Sequence, residues 1–432
     1  MILIFHWKVR EDFLHFIWER MAFNGHELHT TNGVRIRIFR QGVLNHDAGP
    51  DFFDARIEIG DQLWAGNIEI HDRSSDWLVH GHQHDSEYDN VILHVVWQHN
   101  REIYDSSGNM LPVLQLQDYV PEPLLKEYRE LFERIPAFIN CEKLLPDVPS
   151  GVKNGLLEQM SEKRLARKAG EVTKSFFSGD KDWEALLFKR LLYAFGLKVN
   201  AEAFASLGEN LNFRTFRKVL PDRRDMEALL YGTAQMLPVN PKEDYTCELS
   251  ERYAYLNRKF SLQRPVVIPV KYMRMRPESF PTIRISQFCA IYACSHSLFF
   301  RLIESRRLED VTNTLQAAAS GYWNDHYVFE RKTEKSREKR LSPMMARVVV
   351  LNAVIPVMLA YGQYKGNGKE RMIKHWLNQM SPESNSVIRR FASLKMPAGT
   401  AAESQALLEL YNTGCRQQAC LQCKIGTHLI GL

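Results

Sequence analysis

Gly49-Pro50-Asp51-Phe52-Phe53-Asp54-Ala55-Arg56-Ile57-Glu58-Ile59-Gly60-Asp61-Gln62-Leu63-Trp64-Ala65-Gly66-Asn67-Ile68-Glu69-Ile70-His71 decides how this chain folds. Phe52 to Ile59 is rich in aromatic and β-branched residues, and Ala55, Ile57 and Ile59 alternate with Arg56 and Glu58. Gly60-Asp61 supplies a turn and Leu63 to His71 returns, so the stretch reads as a β-hairpin. Side chains alternate faces along the returning strand, so Asn67, Glu69 and His71 share one face while Ile68 and Ile70 share the other. Asp51 opens the first strand. A carboxylate there, facing an acid and a nitrogen base on the partner strand, can converge on a divalent cation.

Upstream, Arg10 to Phe23 has helical spacing, with Phe13, Phe16, Ile17, Trp18 and Met21 apolar and Glu11, Asp12, Glu19 and Arg20 polar. Val34 to Phe39 alternates Val34, Ile36 and Ile38 with Arg35 and Arg37, as a half-buried strand does. Downstream, Ser74 or Asp76 can cap a short helix around Trp77 to His80. Val91 to Trp97 is apolar on both faces, which places it centrally in a sheet. Leu111 to Leu116 forms a further strand. These elements make a mixed domain over residues 1–120, followed by a helix-containing linker over 121–150.

From residue 151 to 432 helical periodicity dominates. Helices are expected over Leu156 to Val172, Trp183 to Phe195, Ala201 to Leu207, Arg224 to Met236, Ser286 to Arg306, Thr312 to Ser320, Met344 to Tyr361, Glu370 to Met380 and Glu403 to Tyr411. The fold class is therefore α+β, a mixed sheet domain followed by a large α-helical region. The 45% hydrophobic and 25% charged composition is that of a globular protein with large cores. The formal charge of +5 permits an anionic partner without arguing for one. Met1 to Trp7 lacks the basic start and cleavage site of a secretory signal. The apolar run Val348 to Ala360 contains Asn352 and Pro356 and is too short to span a bilayer, so it reads as a kinked buried helix. No membrane partner and a cytoplasmic location, with reduced thiols, are the expectation.

Three further constellations carry chemistry. His80-Gly81-His82-Gln83-His84-Asp85, with Asp76 nearby, offers imidazoles to Zn²⁺; the other reading is a polar loop beside neighbouring carboxylates. In a joint reading, His80 or His82 assists the Asp51/Glu69 site, with Asn67 and Asp76 alongside. His94, inside an apolar strand, reads as a core histidine. Cys415, Cys420 and Cys423 are spaced x₄ then x₂, and Cys141, or else His428, supplies a fourth ligand. That set fits an iron–sulfur cluster or structural Zn²⁺, and either staples the C-terminus back onto the end of the first domain. Finally, Arg274, Arg276 and Arg284 flank Tyr272 and Phe280, and Lys332, Lys335 and Arg337 lie in a basic run from Arg331 to Arg340. Such patches bind DNA or RNA phosphates; with Glu334 and Glu338 interspersed, a solvated face is the other reading.

The order of elements and the pair Pro50-Asp51 with Glu69-Ile70-His71 resemble the core of the PD-(D/E)XK nucleases, the restriction-endonuclease-like fold. There an Asp opens the second strand, a Glu-x-Lys lies on the third, and a Glu on the preceding helix contributes. The resemblance covers the first third of the chain and implies a Mg²⁺ or Mn²⁺ site at Asp51 and Glu69, with Glu11 or Glu19 as the helical acid. It implies phosphodiester cleavage in a nucleic acid. His71 replaces the lysine, and a neutral histidine can act as base or ligand where lysine stays cationic. Some nucleases of that superfamily carry a cluster of one remote and three C-terminal cysteines, the remote one preceding the core, whereas Cys141 follows it. Asn45-His46-Asp47-Ala48-Gly49-Pro50-Asp51-Phe52, Gly66 to His71, Ser75-Asp76-Trp77, His80-Gly81-His82, Leu93-His94-Val95-Val96 and Cys420 to Gly426 together resemble an uncharacterised bacterial family, domain of unknown function 2851. That family implies no activity. Two other classes stand beside the nuclease reading: a non-catalytic nucleic-acid or protein-binding module with a structural cysteine site, and a Zn²⁺ hydrolase built on His80, His82 and His84.

Overall fold

The computed structural model describes residues 9–133, 136–179, 181–273, 275–295 and 297–431. Its contacts sort into two units, Met1–Leu157 with Arg389–Pro397 and Leu410–Leu432, and Glu158–Ile388 with Ala398–Glu409. The fold is α+β, with a mixed sheet in the first part and helices after it.

The first unit runs α1 (Glu11–Glu19), β1 (Leu28–His29), β2 (Arg35–Arg40), β3 (Val43–Leu44), β4 (Phe52–Ile59), β5 (Gln62–Arg73), α2 (Asp76–Val79), β6 (Val91–Gln98), β7 (Val113–Gln115) and α3 (Glu122–Phe132). The strand order is β1-β2-β4-β5-β6-β7, with β3 beside β4. The expected hairpin is β4–β5. Ile59 pairs with Gln62 across Gly60-Asp61, and Gly60 takes the left-handed φ of +62° that the turn needs. From β1 to β5 neighbouring strands are antiparallel, whereas β5, β6 and β7 are parallel. A parallel pair needs a crossover. Residues 74–90, with α2 and two short 3₁₀ turns, provide it.

Alternation then separates two faces. Ile57, Ile68, Ile70, Leu93, Val95 and Leu114 bury one face in a core shared with Phe13, Leu14 and Ile17 of α1 and Leu125, Tyr128 and Leu131 of α3. Glu69 and His71 lie on the other face, paired with His94 and Val96 of β6. There Val96 joins Trp77 of the crossover and Val113 in a smaller apolar cluster.

Some boundaries differ from expectation. The first unit continues past residue 120, because α3 buries an apolar stripe in its core. The segment from Leu410 onward also belongs to it. The N-cap of α2 is Ser75, and neither Ser74 nor Asp76 fills that role. The Ser74 hydroxyl donates to the Arg101 carbonyl at 2.7 Å, and Asp76 accepts the Arg73 amide at 3.0 Å.

In the second unit Trp183–Phe195 forms as expected, but Ser286 to Arg306 splits into Pro281–Ala293 and Leu298–Glu304. The new helix start is stabilised by Glu184, whose carboxylate accepts from the Ser297 hydroxyl and the Phe299 amide. The run around Pro356 is longer than expected, Pro343–Lys365. By length and composition it could cross a membrane, yet 72% of its most apolar window is buried inside the fold. The helix passes through a π turn over Val350–Val354, just before the proline that lacks an N–H. A polar node lies in this unit's core. The fully buried Glu227 receives Ser286 at 2.6 Å and Tyr245 at 3.1 Å, with Arg223 and Arg224 each at 3.3 Å.

Gly66 marks the closest approach of β5 to the start of β6. A Cβ at this position would lie 2.6 Å from the Asn90 carbonyl oxygen and would collide with Ile92 Cγ2. Gly66→Val is expected to destabilise the protein by about 1–3 kcal/mol through overpacking. Urea unfolding checks this, and an unchanged midpoint would contradict so close a strand approach.

Candidate metal centre

The crossover carries His80 and His82 back over the polar face of β5. Gly81 between them has a left-handed φ of +77°, so the chain turns there and both imidazoles reach the same side. Nitrogen atoms of His71, His80 and His82 all lie within 4.8 Å of one another. His71 Nε2 is 3.0 Å from His80 Nδ1, and Glu69 Oε1 lies 3.4 Å from His71 Nε2 and 3.3 Å from His82 Nε2. The other carboxylate oxygen, Oε2, accepts the Asp51 amide at 3.2 Å. Asp51 Oδ2 in turn accepts the Ile70 amide at 2.8 Å and meets His15 Nε2 at 3.2 Å. Trp77 packs edge-on to His82, and Tyr88 stacks on it with ring centroids 3.8 Å apart.

Burial dominates the electrostatics. It pushes His71 down to about 3, helped by the fields of His80, His82 and His15, so the ring is neutral at neutral pH. His94, fully enclosed, is driven well below the ordinary range for the same reason. Its Nε2 lies 2.8 Å from His71 Nδ1. With His71 Nδ1 as the donor to His94, the lone pair of His71 Nε2 faces His80, His82 and Glu69. Burial also raises Glu69, and the charge of Asp51 adds to the rise, while the neighbouring His82 opposes it. For His15 burial favours the neutral ring, but the hydrogen bond and charge of Asp51, with Glu11 and Glu69, outweigh it and raise its pKa. Glu11 is raised by burial against the fields of His80 and His15.

These donors fit a metal ion. Among the described residues His82 Nε2 is buried without a hydrogen-bond partner, although Glu69 is adjacent. Three imidazoles that crowd their nitrogens together have too few protons to satisfy one another, and a cation resolves the deficit. Imidazoles are ligands of zinc and other transition metals, whereas Mg²⁺ takes oxygen donors.

The structure thus brings together Asp51, Glu69, His71, His80 and His82. Asn67, buried on the same face, gives its amide to the Asn90 carbonyl. His84 is exposed and outside the group, and Asp76 is engaged with the Arg73 amide. Glu19 is exposed at the C-terminal end of α1, and Glu11, two turns earlier, is the helical acid whose field reaches His80, His15 and Asp51. His15 escaped the sequence reading; its signal was its place one turn after Glu11 on the same helix face. His94 is a core histidine as expected, and it also orients His71.

Elsewhere, Cys141, Cys415, Cys420 and Cys423 line one cavity in the first unit, while His428 is exposed and not part of its wall. Of the basic residues, Arg274 and the Met1 to Trp7 segment lie outside the described residues. Arg284 is not a surface contact. It is 7% exposed, donates to Gln287 and Ser279, and burial lowers its pKa to about 10. Lys332 pairs with Asp325 and Arg337 with Glu278, while Arg276 and Lys335 are exposed.

Asp51, Glu69 and the histidines all fall inside a family profile that matches residues 11–386. The chain belongs to the family described as protein of unknown function, DUF2851. In this DUF2851 protein the match includes the whole histidine–carboxylate group and ends before Cys415, so the terminal cysteine motif lies beyond it. No curated protein and no solved structure matches the chain.

The depressed His71 has a consequence for stability. An unfolded chain binds a proton at the ordinary value of 6.5, whereas the folded one resists it down to about 3. The contribution is complete above 6.5 and is lost as pH falls, by about 1.4 kcal/mol per pH unit. In chelator-treated protein, His71→Asn is expected to flatten the acid limb of stability measured by denaturant titration. An unchanged slope would contradict a neutral buried His71.

Proposed function

We propose that this protein is a metal-dependent hydrolase that cleaves phosphodiester bonds in nucleic acid, with the ion held by His71, His80 and His82 beside Glu69. The observation that carries the reading is the convergence of three imidazole nitrogens within 4.8 Å against a buried carboxylate. The nitrogen-rich donor set favours Zn²⁺ or another transition ion over Mg²⁺. Such an ion, when bound, lowers the pKa of a water and stabilises charge on a scissile phosphate. Asp51 positions Glu69 through its amide and holds His15, whose raised pKa suits it to donate a proton to a leaving oxygen. His94 fixes the ring of His71 from behind.

Two observations support nucleic acid as the substrate. Asp51 directly precedes β4, Glu69 and His71 lie on the next strand, and α1 precedes both, the placement that the nuclease resemblance implies. The polar face of the sheet also continues as a basic track. Ala65, four residues before Glu69 on the same face, pairs with Arg56, which pairs with Arg40, while Arg37 pairs with Glu58. Arg35, Arg37, Arg40 and Arg56 are all exposed, and Arg37 lies over the exposed Phe39 ring at 4.9 Å. Arginines and an open aromatic beside a metal suit a phosphate backbone with unstacked bases.

Full-length protein supplied with Zn²⁺ or Mn²⁺ is expected to cut labelled DNA or RNA. His82→Ala should abolish cleavage, and Asp51→Asn should lower it about 10–100-fold, with the fold retained by circular dichroism. Cleavage that survives His82→Ala, or no cleavage of single- or double-stranded substrates with any divalent ion, would contradict the reading. Arg37→Ala with Arg56→Ala should weaken binding and reduce its salt dependence by about two counterions. An unchanged salt slope would remove the basic track from the interface.

A further inference from the structure

A second set of ligand-type side chains lies apart from the histidine centre and takes no part in the proposed hydrolysis. Cys141 follows α3, and Cys415, Cys420 and Cys423 come from the C-terminal segment, yet all four line one cavity of about 30 Å³. None of them is in a disulfide. The remainder of the exposed wall is apolar. Apolar packing alone gives no reason for four sulfurs from such distant positions in the chain to meet, because an alanine or valine serves a core equally well.

The local backbone is shaped around the sulfurs. Cys415–Gln417 and Cys420–Gln422 are each a single 3₁₀ turn, and Cys423 caps the helix Lys424–Leu429. The amides of Ile425 and Gly426 point at the Cys423 sulfur. Gly426 packs directly on the Cys420 carbonyl, where any Cβ would collide, so the helix can close over the turn only with glycine there. Burial raises the Cys423 thiol, and the amides of Ile425 and Gly426 oppose that rise.

The spacing separates two metal chemistries. Cys415, Cys420 and Cys423 are spaced x₄ then x₂ with the fourth cysteine remote, the ligand run of plant-type iron–sulfur proteins, whereas structural zinc sites usually draw their cysteines as two separate pairs. We infer that Cys141, Cys415, Cys420 and Cys423 hold an iron–sulfur cluster that pins the C-terminal segment to the loop after α3.

The test is iron, zinc and acid-labile sulfide analysis with a visible absorption spectrum, on full-length protein purified without oxygen. Iron and sulfide in equal amounts with a visible chromophore are expected. Cys415→Ser and Cys423→Ser should lose both, and the exposed Cys294→Ser should keep them. His82→Ala should also keep the chromophore, which separates this centre from the histidine site. Stoichiometric zinc without sulfide overturns the cluster, as does metal-free protein. Iron and sulfide undiminished in the cysteine variants overturn the ligand assignment. Should those variants not fold, the content of the wild-type protein still decides between cluster, zinc and neither.

Discussion

The parallel pairing of β5 with β6 is the constraint on which the rest of the first unit depends. Had β6 returned antiparallel, a short turn would have sufficed and nothing would cover the polar face of β5. The parallel register instead sends residues 74–90 across that face. It places Glu69 beside His94 and brings His80 and His82 over His71. Backbone hydrogen bonds between two central strands thus assemble a group of side chains that are scattered along the chain.

That group is costly as a purely structural feature. Carboxylates and imidazoles placed out of water without full hydrogen bonding destabilise a fold, and here burial drives Glu69 upward and His71 and His94 downward. A core of the same volume built from valine and leucine would be more stable. The two faces of one sheet therefore serve different ends. Ile57, Ile68, Ile70, Leu93 and Val95 supply apolar burial on one face. The opposite face carries the polar group at its centre and exposed arginines toward β2.

Much of this was legible in the residues themselves. Period-two alternation along Leu63 to His71 determined the returning strand and the shared face of Glu69 and His71, because a one-residue slip would put them into the apolar core in place of Ile68 and Ile70. The histidine loop was visible as a ligand source. Which of its members would join the buried group was not visible, since the left-handed Gly81 and the following 3₁₀ turn decide that His82 points inward and His84 outward. Glu11 and Glu19 were equivalent by helical spacing, and only the docking of α1 on the sheet distinguishes them. The alternation of Arg35 and Arg37 with Val34 and Ile36 was plain, but their presence on the same face as Glu69 and His71 follows from strand register across β2, β4 and β5. The split of the helix after Ala293 arises from Glu184, a residue over a hundred positions away, and no local signal carries it.

The central claim is that one transition-metal ion sits among His71, His80 and His82. A crystal of the full-length protein grown with Mn²⁺ or Zn²⁺, with diffraction recorded on both sides of that metal's absorption edge, tests it most directly. The account predicts an anomalous peak about 2.0–2.2 Å from one nitrogen of each histidine, within reach of Glu69. Ordered rings with no peak between them at saturating metal, or a peak bound only by carboxylates away from His82, would contradict it.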